Sequence, residues 1–284
     1  MAISTKIKNY INSSLRPLNI RLETLTAEKI EKSRIEFQKS LGHFAQPVFP
    51  ILPGIMQLDL TKIFQEFDGS FTNITDIALP TVGGLKFQNN NDYFKTPDAE
   101  ILYLILGAYK PKRWIEIGSG NSTLLLRQTI IHKELDTHVT AIDPNPRTDI
   151  SNLANKIYYE NIEYISDSIR FEELEPGDVL FIDSSHEINV ANDVVNIFLN
   201  VLPRLKKGVL VHIHDVFLPY DYPIDELIER RRSWREQYLL QSILYYGEKK
   251  ILWPGYYLQM NKPELSKDFP FLGSGRAQSF WFEI

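Results

Sequence analysis

The sequence predicts an α/β fold: a doubly wound, mostly parallel sheet of seven strands behind an N-terminal helical and irregular extension. Three observations predict it. From residue 96 onward, short apolar runs alternate with segments of helical period, the pattern that builds a parallel sheet with helices on both faces. Residues 114–123, Trp-Ile-Glu-Ile-Gly-Ser-Gly-Asn-Ser-Thr, read as a strand, a tight glycine turn and a helix start. Residues 46–95 carry Pro47, Pro50, Pro53 and Pro80 among Gly54, Gly69, Gly83 and Gly84, which break any long element. The expected division is residues 1–95 as extension and cover, and residues 96–284 as the α/β domain.

Residues 1–45 read as helical, with Thr24 or Thr26 as a cap ahead of residues 27–40. Ile7, Tyr10, Ile11, Leu15 and Leu18 recur at helical spacing beside Lys6, Lys8 and Arg16. Such a helix can lie on a membrane surface. Packing on its own chain or on a second copy is the preferred reading, and a homodimer through the N-terminal helices is the assembly it suggests. Thr96-Pro97-Asp98 is a helix start, with a hydroxyl cap, a proline in the first turn and acids at the positive dipole end. That helix runs to Tyr109 and stops before Pro111.

Strands are expected at residues 113–117, 139–143, 162–165, 179–183 and 209–213, with helices at 122–132, 149–159 and 190–202 between them. A charged segment at 225–235 precedes a helix at 234–246. Its arginines, Arg230 to Arg232, suit a solvated helix face or an anionic ligand. Residues 250–253 and 279–283 supply two closing strands.

The glycine turn restricts the ligand. A dinucleotide fingerprint needs a third glycine three residues after the second, and Thr123 stands there. A P-loop needs lysine at the helix start, and no lysine lies between Gly118 and Arg127. What remains is Glu116-x-Gly118-x-Gly120 with little positive charge, suited to a ligand with ribose and adenine but no phosphate. Asp143 closes the second strand about 20 residues beyond the glycines, where a ribose-binding carboxylate is expected.

With these residues in place, the chain resembles the class I S-adenosylmethionine-dependent methyltransferases, whose fold is Rossmann-like. Residues 116–120 look like that family's first motif and Asp143 like its ribose-binding acid. The resemblance implies a cofactor site of Glu116, Gly118, Ser119, Gly120, Ser122, Thr123, Asp143, Asp167, Ser168 and Asp183, with Asp167 at the adenine amino group. It covers roughly residues 90 to 284. It is strongest to a bacterial branch with Phe-Ile-Asp-Ser-Ser-His after the fourth strand and His-Ile-His-Asp after the fifth, here at residues 181–186 and 212–215. Members of that branch look like enzymes of polysaccharide or natural-product tailoring.

Methyl transfer mainly requires that a nucleophile be positioned and deprotonated. The catalytic candidates are Asp183, His186, His214 and Asp215, at the ends of two adjacent strands. His186 or His214 is the expected general base, with Asp183 and His186 a base-and-orienter pair. Alternation along the fifth strand puts His212 deeper, as a core histidine. Tyr93 and Phe94 are placed to cover the cofactor. Tyr220, Tyr222, Trp234 and Tyr238 suit stacking against a sugar. Asp183 and Asp215 with a histidine also supply ligands for Mg²⁺ or Mn²⁺. In related metal-dependent O-methyltransferases the fifth-strand acid is usually followed by Asn or another acid, whereas this chain has His214-Asp215, so no metal ligand is assigned. Two alternatives remain: a metal-dependent, hydroxylase-like relative on this fold, and a cofactor-binding scaffold without turnover.

Bulk composition narrows the partners. Of 284 residues, 43% are apolar, enough for a sizeable core. A net charge of −5 disfavours a nucleic-acid surface. The absence of cysteine excludes disulfides, thiolate metal sites and a cysteine nucleophile, and is compatible with a cytoplasmic protein. The most apolar run, near residues 101–108, is too short for stable membrane insertion. The expected partner is a small-molecule or glycan acceptor.

Overall fold

The strands are β1 (Arg113–Ile117), β2 (His138–Ile142), β3 (Lys156–Tyr158), β4 (Val179–Ile182), β5 (Leu210–Ile213), β6 (Lys250–Pro254) and β7 (Phe280–Glu283). They come from a computed structural model that describes residues 5–23, 25–247 and 249–284. All seven form one sheet in the order β3-β2-β1-β4-β5-β7-β6. Only β7 runs against its neighbours, so the sheet is mixed. The chain steps outward from β1 to β2 and β3, then crosses back to β4 on the other side of β1. Ligands of open α/β sheets bind beyond the carboxyl ends of the strands at such a reversal.

The helices are α1 (Thr5–Leu15), α2 (Thr26–Ser40), α3 (Pro53–Met56), α4 (Thr61–Phe64), α5 (Asp98–Tyr109), α6 (Asn121–His132), α7 (Ile162–Ile165), α8 (Asp193–Asn196), α9 (Ile224–Ile228), α10 (Glu236–Tyr246) and α11 (Gly255–Asn261). Every residue of β4 and β5 is buried, as central strands covered on both faces require. Side chains of β1 and β4 divide by parity. Trp114 and Phe181 join the core beneath α5 and α6. Ile115, Ile117, Leu180 and Ile182 join the core on the opposite face with α8 and α10. No helix among the described residues is long and apolar enough to cross a membrane.

Several expectations are corrected. The third strand is at Lys156–Tyr158, paired to β2, and not at residues 162–165. Ile162 and Ile165 are buried while Tyr164 is 78% exposed. A spacing of three between buried residues belongs to a helix, and residues 162–165 form α7. The helix expected at 149–159 does not form, because its second half is that strand. The helix expected at 190–202 is interrupted. Asn192 caps it by accepting from the Val195 amide at 3.2 Å, and after α8 the chain widens into a π-turn, Ile197–Val201, and closes as a 3₁₀ turn carrying Pro203. Thr96 is no helix cap: its hydroxyl donates to the Glu100 carboxylate at 2.8 Å. Asp98 instead accepts from the Ser279 amide at 2.9 Å.

The chain divides into compact units Met1–Gln46 and Pro47–Ile284. Residues 47–95 carry buried Ile63, Phe71, Ile74, Leu79, Phe87 and Phe94, all in the core of the sheet. In the first unit Thr26 opens α2 without a side-chain cap, and Thr24 lies outside the described residues. Tyr10 is 77% exposed and α2 buries no residue.

Candidate active site

The glycine turn is shaped by its neighbour across the sheet. Gly118 has φ +81°, and a Cβ there would stand 1.9 Å from the Asp183 carbonyl oxygen. Only glycine lets the loops after β1 and β4 pass this closely. The Gly118 amide donates to the Ile142 carbonyl, and the Asp183 amide to the Ile117 carbonyl, each at 2.9 Å. Three strand ends therefore meet at one point.

The acids around the turn have distinct surroundings. Asp143 accepts from the Ser119 amide at 2.7 Å and the Asn145 amide at 2.8 Å. Glu116 is fully buried beneath the turn, and burial pushes its carboxyl up to about 8 against the Ser122 hydrogen bond. That bond, from the Ser122 hydroxyl, is 2.5 Å long. The Gly120 amide donates to the Thr123 hydroxyl at 2.9 Å. Glu116, Gly120, Ser122 and Thr123 thus brace the turn from below.

A cleft of about 360 Å³ opens above it, lined by Gly118, Ser119, Asp143, Asn145, Arg147, Asn161, Glu163, Asp183 and Asp193, among others. Its ionisable lining is four carboxylates (Asp143, Glu163, Asp183, Asp193) against one guanidinium, Arg147.

Asp183 also belongs to a buried ionic cluster. His186 Nε2 faces Asp183 Oδ1 at 3.2 Å and Asp215 Oδ2 at 3.4 Å. On the other side of the ring, Nδ1 bonds Glu236 at the start of α10, and the Gln278 amide donates to Asp215. Burial would lower the His186 pKa, but Glu236, Asp183 and Asp215 together raise it well above the usual histidine value. Burial would raise Asp183, yet the bond from His186 and the nearby histidines hold it well below the usual carboxylate range. His186 and Asp215 adopt left-handed backbone, φ 61° and 57°. Two non-glycine residues in that region at one site mark a strained, over-determined constellation.

The other histidines differ. His212 is buried with Nε2 3.0 Å from the Ser279 hydroxyl and its ring stacked on Phe181 at 3.8 Å. His214 is 2% exposed, and among the described residues neither ring nitrogen has a hydrogen-bond partner. Burial lowers its pKa, but Asp215, Asp183 and Asp98 outweigh this and raise it.

Residues 115–216 match a family model described as a methyltransferase domain. That stretch of the chain is thus similar to a methyltransferase domain. The match runs from β1 to just past Asp215, and so takes in the glycine turn and both strand-end acids. No curated protein matches the sequence. Among solved structures, the chain is similar to a cofactor-bound protein from MTB, with 17% identity, TM-score 0.35, and 63% of this chain and 75% of that chain covered. It is also similar to an O-methyltransferase from Bacillus cereus in complex with SAH, with 18% identity, TM-score 0.35, and 55% and 71% covered. At these scores the likeness does not extend to substrate or residue roles.

The fold brings Gly118, Ser119, Asp143 and Asp183 to the cleft, but not Asp167 and Ser168. Those two lie in a 3₁₀ turn, Ser166–Ser168, beyond α7, where the Asn200 amide approaches Asp167 at 3.4 Å. The cleft wall after β3 is Asn161, Ile162 and Glu163. Tyr220, Tyr222 and Trp234 form a buried cluster with Phe217, and Phe94 packs 5.2 Å from the His214 ring. Tyr93 is half exposed, with Arg147 over its ring at 4.4 Å.

One ligand atom each from Asp183, His186 and Asp215 lies within 4.8 Å of the others. Glu236 holds Nδ1 and turns Nε2 toward both acids, the outer-sphere arrangement common to metal-binding histidines. These residues fit Mg²⁺ or Mn²⁺. Were a cation held there, it would compete with the Nε2 proton, and its affinity would fall with falling pH.

Proposed function

We propose that the chain is an S-adenosylmethionine-dependent methyltransferase acting on a hydroxyl group of a small acceptor or glycan. The charge of the cleft carries the reading. Four carboxylates and one arginine disfavour a polyphosphate and complement a ligand bearing sulfonium and ammonium groups. Asp143, fixed at the turn by two amides, supports ribose binding through its remaining acceptor capacity. The cofactor, when bound, supplies an activated methyl group with a good leaving group.

The chain's own residues then orient and deprotonate the acceptor. His186 is saturated by three carboxylates and is an organiser of the cluster. His214 has both ring nitrogens without a partner among the described residues and is the better base for an acceptor hydroxyl. If a divalent cation participates, Asp183, His186 and Asp215 would hold it, and it would polarise the acceptor oxygen.

The test is transfer of labelled methyl to a panel of hydroxylated acceptors, with and without chelator. His214→Ala should lower kcat about 10²-fold to 10⁴-fold while leaving cofactor affinity unchanged. Wild-type turnover in that variant would remove His214 as base, and a rate indifferent to exhaustive chelation would remove the cation.

A further inference from the structure

We propose that the loop between α9 and α10 is an oxyanion subsite, so that the methyl acceptor is a hydroxylated compound bearing a phosphate or carboxylate group. The proposal rests on the methyl-transfer reading of the neighbouring cleft.

Residues 230–235 hold Arg230, Arg231, Arg232 and Arg235 and no acid, in a chain of net charge −5. They are no solvated helix face, because α9 ends at Ile228 and α10 begins at Glu236. The segment is instead fastened to the ionic cluster. The Arg235 amide donates to the His186 carbonyl at 2.7 Å. The buried Trp234 ring meets the His186 imidazole edge-on at 5.2 Å. Arg232 lies over that same indole at 5.2 Å.

A guanidinium stacked on a ring uses its flat face and leaves the N–H fork at its edge for a planar, two-bond grip on an oxyanion. Arg230 is already engaged with buried Glu226 at 3.5 Å. Among the described residues Arg232 and Arg235 pair with no carboxylate. One indole therefore separates a positively charged fork from the imidazole that organises Asp183 and Asp215. An acceptor anchored by its anion at Arg232 and Arg235 would turn its hydroxyl end toward the strand ends. This requirement also explains why an acidic protein concentrates arginine at this one loop.

The test uses the full chain saturated with S-adenosylhomocysteine, titrated calorimetrically with inorganic phosphate, glucuronate and glucose. At least one anion should bind, glucose should bind about tenfold more weakly or worse, and Arg232→Gln or Arg235→Gln should weaken the anion about tenfold. S-adenosylhomocysteine affinity should not change. Phosphate binding alone identifies a phosphorylated acceptor, and glucuronate binding alone a carboxylated one. Neither anion binding better than glucose, or anion binding unchanged in both variants, overturns the proposal. If S-adenosylhomocysteine itself fails to bind, the methyl-transfer reading fails; if it binds and the anions do not, only the oxyanion subsite fails.

Discussion

Gly118→Ala should be the most damaging single methyl group in this protein. The added carbon would stand 1.9 Å from the Asp183 carbonyl oxygen, a main-chain atom that cannot swing away as a side chain can. The residue would also have to hold φ +81°, which costs an L-residue about 1–2 kcal/mol before any clash. Because β1 and β4 are adjacent and fully paired, relief requires moving one strand end against the sheet. We expect a loss of about 3 kcal/mol or more, read as a drop of about 10 °C in Tm for a domain of this size. Asp183 would move with its carbonyl, so cofactor binding should fail even where the chain still folds. A variant with wild-type Tm would show that the two loops do not cross as described.

Glu236→Ala should come second. The carboxylate is fully buried and is the Nδ1 partner of His186. Its removal leaves a buried imidazolium short of one partner, a change worth about 3–5 kcal/mol, measurable by urea denaturation at neutral pH. The pH dependence has a definite sign. The folded-state pKa of His186 lies well above its ordinary 6.5, so its stabilisation is complete below that value and is lost as pH rises through the raised one. Asp183 is depressed below its ordinary 3.8. Its contribution is present above 3.8 and disappears as pH falls toward the depressed value. Glu236→Gln keeps the shape but removes the charge, and should move the alkaline limb of the stability profile to lower pH. An unmoved limb would mean that Glu236 does not govern the proton on His186.

What the sequence made legible was local. The glycine turn, Asp143 and Asp183 could be placed because each lies at the end of an apolar run that remains a strand in the folded chain. β3 could not. It is three residues long, at the sheet edge and only half buried, so Lys-Ile-Tyr carries no alternation to read. The nearby Ile162 and Ile165 offered a stronger apolar signal that belongs to a helix. Glu236 and Gln278 reach the cluster from 50 and 63 residues beyond their partners. An acid in the first turn of a helix is ordinarily explained by the dipole alone, so no spacing rule marks Glu236 as a partner of His186. The three histidines were visible, but their division of labour depends on which ring nitrogens find partners, which is tertiary information.

Calorimetric titration of the full chain with S-adenosylmethionine, NAD and ATP is the most direct test of whether the cleft above the glycine turn takes S-adenosylmethionine. One S-adenosylmethionine site is expected, weakened about tenfold to hundredfold by Asp143→Ala, with no binding of NAD or ATP at the same concentrations. Binding of NAD or ATP in its place, or S-adenosylmethionine affinity indifferent to Asp143, would contradict it.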